Sequence, residues 1–169
     1  MMNRADYPIL LVGLAKIVDG ATRLQKYAFL CSMKIKGLQR LDFYDDWIAS
    51  HYGPFSPELA SDLKVSIMTG NIGSYKVTNP YGYVVERFSL TGGGEKIEQF
   101  MKEHYSEYKQ MKEIIDQYQT KSLSELLQDV YFQFPQFAKD SQIKAEIGKK
   151  IYESDSYLST TYDQPDSEY

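Results

Sequence analysis

Cysteine is nearly missing from this chain of 169 residues: Cys31 stands alone. A single thiol excludes an internal disulfide framework and a zinc site built from several thiolates. Histidine is almost as scarce, and neither His51 nor His104 has a His or Cys partner at ligand spacing. Metal ligation and nucleophilic catalysis therefore lack their usual residues, no cofactor is implied, and the chain reads as non-enzymatic. A solvated carboxylate cluster, Asp42, Asp45 and Asp46 with His51, is the one place where acid–base chemistry is conceivable. No apolar run reaches the length of about 18 residues that a spanning helix needs. Residues 9–18 are apolar but carry Gly13 and Lys16, and residues 1–6 form no basic leader, so the expectation is a cytoplasmic chain with no membrane segment. Positive charge is lacking too: the net charge is −4, which removes the simplest argument for nucleic-acid binding.

What is present is an ordinary globular composition, 43% hydrophobic and 25% charged, which excludes global disorder. The length suits one domain with a core plus an appendage. Tyrosine is in excess, with 15 residues in a chain that is 14% aromatic. The charge is unevenly spread. Residues 1–90 carry 10 Lys/Arg against 8 Asp/Glu, residues 91–152 carry 9 against 10, and residues 153–169 carry five acids and no base. The acidic end accounts for more than the whole net charge, leaving a nearly neutral body.

Residues 8–18 read as a first helix, with Pro8 in its first turn and Asp19-Gly20 as its stop. Thr22 opens a second helix through a capping box with Gln25, and Leu24, Ala28, Cys31 and Ile35 form its apolar stripe up to Gly37. Residues 41–52 are rich in aromatics, with a short strand expected near 42–44. Ser56 is a natural N-cap for a helix over 57–69, whose inner face is Leu59, Leu63 and Ile67 joined by Ala60 and Met68. Strands over 72–78 and 83–90 flank the turn Asn79-Pro80-Tyr81-Gly82. Val84, Glu86, Phe88 and Leu90 share one face of the second strand, Val85, Arg87 and Ser89 the other. Past three glycines, residues 95–118 read as one helix about 36 Å long with an apolar seam. Ser122 and Glu125 cap a further helix that Phe134-Pro135 breaks, and residues 140–152 suit a short last one.

Three helices followed by a hairpin predict an α+β, mainly α fold: a winged helix-turn-helix over residues 1–92. The helix over 57–69 takes the recognition position and the hairpin is the wing. Residues 93–152 form a helical extension for packing or dimerisation, and residues 153–169 a disordered acidic tail.

The strings Thr22-Arg23-Leu24-Gln25-Lys26-Tyr27-Ala28-Phe29-Leu30, Tyr52-Gly53-Pro54-Phe55-Ser56-Pro57-Glu58-Leu59 and Phe88-Ser89-Leu90-Thr91 with Gly94 resemble the YwgA-type uncharacterised proteins of bacteria and archaea. Residues 122–137, with Leu126, Val130-Tyr131 and Phe134-Pro135, resemble the C-terminal part of that family. A more distant resemblance, through the Leu-Gln-Lys helix and the Tyr-Gly-Pro turn, reaches the Panacea or SocA-like antitoxin domain. The first resemblance implies a fold and a class; the second implies toxin neutralisation or adaptor roles.

Two functions follow as expectations. The first is a DNA-binding transcription regulator. Arg23, Lys26, Ser61, Lys64, Lys76 and Arg87 would contact duplex DNA, and Tyr105, Tyr108, Ile115 and Tyr118 would form a homodimer interface. The second is a protein–protein interaction module, of antitoxin, adaptor or assembly type, on the same fold without DNA. The helix over 57–69 favours the second, because Glu58 and Asp62 outnumber Lys64 on its outer face and repel phosphate. The glycines after Thr91 lack the Gly-Lys-Ser/Thr ending of a phosphate loop and read as a helix entry.

Overall fold

Helix α1 (Tyr7–Ala15) is apolar on every side, and all its residues except Gly13 are buried. A helix of that kind is stable only when surrounded, so the rest of the fold is arranged as its cover. The computed structural model describes residues 2–138. In order after α1 come β1 (Ile17–Asp19), α2 (Ala21–Lys34), β2 (Ile48–Ser50), β3 (Gly53–Phe55), α3 (Pro57–Met68), β4 (Ile72–Thr78), β5 (Val84–Leu90), α4 (Gly94–Glu103), α5 (Tyr105–Gln119) and α6 (Leu123–Gln133). The architecture is α+β, mainly helical, with two small antiparallel sheets. One sheet has the order β1-β5-β4, with Val18 opposite Phe88 and Lys76 opposite Glu86; the other is the β2–β3 hairpin.

The helix expected over 8–18 ends early, because Lys16 turns into a left-handed conformation (φ 70°) and the next three residues pair with β5. The expected strand near 42–44 is absent; Phe43 and Tyr44 are instead core aromatics stacked edge-on around Tyr7. The capping box expected from Thr22 and Gln25 is also not formed. Gly20 is the N-cap of α2, and Gln25 bonds elsewhere. The third helix and the hairpin lie where the sequence puts them. Ser56 Oγ accepts the Leu59 N–H at 3.0 Å, and the Gly82 N–H closes the turn onto the Asn79 carbonyl at 3.0 Å.

The helix expected over 95–118 is two helices broken at His104 (φ −136°, ψ 54°). A straight rod touches a neighbouring helix along one line only. The break lets both segments wrap α1, with Phe100 of α4 against Tyr7 and with Met111, Ile115 and Tyr118 of α5 all buried. Gly13 permits the close approach of α4: a Cβ there would stand 2.2 Å from the Ile97 side chain. One hydrophobic core runs from Tyr7 to Ala138, across the boundary between residues 92 and 93. The apolar seam expected to receive a second copy is therefore used within the chain. Ile115 and Tyr118 are interior, Tyr108 is half-buried against the core, and Tyr105 is exposed. The interface role given to Ile115 and Tyr118 is corrected on that ground. The last helix expected over 140–152 and the acidic tail over 153–169 lie outside the described residues.

Core and interface roles for Ile115 separate in solution. Ile115→Ala should lower the unfolding free energy by about 2–5 kcal/mol, with a urea midpoint independent of protein concentration. Tyr105→Ala should change it by about 0.5 kcal/mol or less. A midpoint that moves with concentration would return Ile115 to an interface.

Candidate functional site

The segments that carry the family resemblance meet each other in space. Gln25 on α2 grips the backbone of Ser56 with both ends of its amide: Nε2 donates to the Ser56 carbonyl at 3.0 Å, and Oε1 accepts the Ser56 N–H at 2.8 Å. Lys26, one residue on, donates from Nζ to the Pro54 carbonyl at 2.9 Å. Gly53 adopts a left-handed conformation (φ 89°) where a side chain would meet the Tyr131 ring and the Lys26 stem. Asp46 accepts from the Ser56 hydroxyl and, at 2.9 Å, from the Glu58 N–H, satisfying donors at the start of α3. These bonds fix where α3 begins and which side it turns outward.

Lys26 is therefore not a phosphate contact: it is 1% exposed, and the amine faces a carbonyl inside the protein. Its position on a helix gave no warning, because α2 is buried almost all round between α5, α6 and β3. Burial pushes the amine down from 10.5 to about 7.

The outer face of α3 lies beside the hairpin. Ser61, Lys64, Val65, Met68 and Thr69 are exposed there, Met68 to 84%. Met68 was expected on the inner face with Ile67; it sits in the last turn, where α3 leaves the core, so its side chain stands in solvent. Ser66, in contrast, is buried. An apolar groove of about 270 Å³ runs between α3 and β5, floored by Leu63, Ile67 and Phe88, with Lys64 and Glu86 at its edges.

The charge on this face is not basic. Arg4 is shared by Glu58 and Asp42, so that corner stays net negative. Asp62 accepts from the Tyr44 hydroxyl at 2.6 Å, and burial together with Asp62 pushes that phenol up. Lys76 is exposed on β4, opposite Glu86. Arg87 is engaged by Asp19 through two bonds, Nε to Oδ1 at 2.6 Å and Nη2 to Oδ2 at 3.0 Å, so its charge is neutralised in place. The phosphate role expected of Arg87 is corrected for that reason. Arg23 lies on a different surface, a cleft against the α5–α6 corner. Of the six residues expected to contact DNA, Ser61 and Lys64 are exposed on α3 and Lys76 is exposed on the hairpin. Sequence reasoning missed the apolar part of the α3 face; the signal was Met68 falling at the very end of the stripe.

Among the described residues, no helix is long and apolar enough to cross a membrane. Comparison with family models, with curated proteins and with solved structures returns no match to this chain.

The Lys26 amine makes stability depend on pH with a definite sign. The unfolded chain keeps this proton to about pH 10.5, the folded chain only to about 7. Between those values the unfolded state binds more protons, so stability rises with pH, by at most about 1.4 kcal/mol per unit from this group. Lys26→Met should flatten the rise in urea-unfolding free energy between about pH 7.5 and 9.5. A slope identical to the parent protein's would mean that the amine titrates in water.

Proposed function

We propose that this chain is a non-enzymatic protein-interaction module on a winged helix-turn-helix body, with α3 and the hairpin forming the contact face. The element order α1-β1-α2-α3-β4-β5 and the sheet order β1-β5-β4 support that reading of the body: α3 takes the recognition position and β4–β5 the wing. The β2–β3 hairpin is then an insertion ahead of α3.

The observation that carries the choice of partner is the composition of the α3 face. Its most exposed large side chain is Met68, with Val65 one turn before it and an apolar groove alongside. Methionine suits a protein surface because it is flexible and polarisable, while phosphate recognition needs fixed positive charge. Lys76 lies opposite Glu86, and the charged residues of α3 besides Lys64 are the acids Glu58 and Asp62, so no basic stripe runs along α3. A distant resemblance to SocA-like antitoxin domains agrees with a protein partner. DNA binding is the second reading, supported by the element order and by the exposed Ser61, Lys64 and Lys76.

Affinity capture from native lysate, with the parent and two variants in parallel, separates them. Met68→Glu should reduce recovery of a stoichiometric partner about tenfold or more, as expected when an apolar contact centre is lost, while Lys64→Ala plus Lys76→Ala leaves it. Salt-dependent retention on random duplex DNA, weakened by the double lysine variant and untouched by Met68→Glu, would overturn the proposal in favour of DNA.

A further inference from the structure

A second surface carries chemistry that the α3 face does not use. A cleft of about 450 Å³ lies between the hairpin turn and the α5–α6 corner. Its apolar walls are Ile17, Pro80, Val85 and Leu123; Arg23, Asn79 and Lys121 also line it.

Two of these polar groups are unanswered. Asn79 is 9% exposed, and its Oδ1 accepts the N–H groups of Tyr81 and Tyr83, both at 3.0 Å. That pairing fixes the amide's orientation and leaves Nδ2 with no acceptor among the described residues. A buried donor without an acceptor is destabilising, and native proteins rarely leave one so. Arg23 reaches the Tyr118 carbonyl at 3.3 Å and the Tyr27 hydroxyl at 3.5 Å, both from Nη1. Among the described residues no carboxylate pairs with it, and its Nε and Nη2 donors have no acceptor.

The surrounding charge favours an anion. Asp19 is the one acid in the lining, and both its oxygens are held by Arg87. Lys121 sits over the Tyr118 ring at 5.2 Å and 3.3 Å from Asp129, leaving ammonium hydrogens for another partner. Helix α6 starts in the wall at Ser122 and Leu123, and its N-terminal dipole adds positive potential.

We propose that this cleft binds a small organic carboxylate. One carboxylate oxygen pair takes the Arg23 fork and the Asn79 amide, with Lys121 as a longer-range countercharge, and the apolar body lies against Ile17, Val85 and Leu123. A planar two-oxygen group matches one guanidinium edge. A phosphate dianion would meet too little charge, since the lining holds two cations against one acid. The proposal does not rest on the reading of α3, which lies outside the lining.

The test is an NMR titration of the full ¹⁵N-labelled chain with phenylacetate and hexanoate, with phenylacetamide as the neutral control. Concentrations run to about 10 mM, which detects a millimolar Kd. Saturable shifts of the Asn79 side-chain amide and of the Val85 and Leu123 backbone amides are expected with a carboxylate and not with the amide. Arg23→Gln, which removes the guanidinium fork and its charge, should weaken binding about tenfold. Lys121→Gln, which leaves the cleft floor intact, should weaken it a few-fold. The proposal is overturned by shifts that do not saturate, by equal shifts with phenylacetamide, by a Kd unchanged in both variants, or by complete displacement with equimolar inorganic phosphate.

Discussion

Everything in this fold answers to the burial of α1. A nine-residue helix with no polar face cannot lie on a sheet with one side in water, as an amphipathic helix would. The three-stranded sheet and helices α2 and α3 cover part of it, and α4 and α5 cover the remainder. The helical segment after the hairpin is therefore part of the same core rather than an accessory. The break at His104 follows from the same demand, since two short segments enclose a cylinder better than one straight rod. Gly13 is the local adjustment that brings α4 within contact of α1.

Against that core, the second constraint is where α3 begins. Gln25 supplies a donor and an acceptor to one residue, Ser56, and so holds the chain as a neighbouring strand would. Lys26 adds a third bond two residues earlier, at the expense of holding an amine in the interior. The Leu-Gln-Lys and Tyr-Gly-Pro-Phe-Ser-Pro strings thus belong to one structural joint.

The sequence was most legible where local chemistry is self-sufficient. Ser56-Pro57-Glu58 marks a helix start by capping alone, and Asn79-Pro80-Tyr81-Gly82 marks a turn by its own backbone preferences; the structure has both in place. Alternation along β5 was also readable, since its two faces separate as expected. It was least legible where a long-range partner decides. Ile17–Asp19 is a strand only because β5 lies beside it, and three residues carry no period of their own. Gln25 looked like a local cap and proved to be a distant clamp. Lys26 and Arg87 looked like surface cations, yet one faces a carbonyl in the core and the other a carboxylate 68 residues away. Ile115 and Tyr118 formed a helical seam whose partner, this chain's own core, no periodicity could name.

Strand β5 joins these levels. Its odd positions, Val85 and Arg87, turn toward the cleft: Val85 lines it, and Arg87 holds the Asp19 carboxylate that would otherwise repel an anion there. Its even positions, Glu86 and Phe88, turn the other way and wall the groove beside α3. Pairing to β1 on one side and β4 on the other keeps the strand from shifting register, because a one-residue slip would exchange the two faces and put Phe88 in the cleft. The Asp19–Arg87 pair pins that register from the side chains, linking β1 to β5 at the Asp19↔Arg87 position. One short strand thus keeps the groove beside α3 and the Arg23 cleft back to back, with Arg87, expected from the sequence to contact DNA, held instead by Asp19.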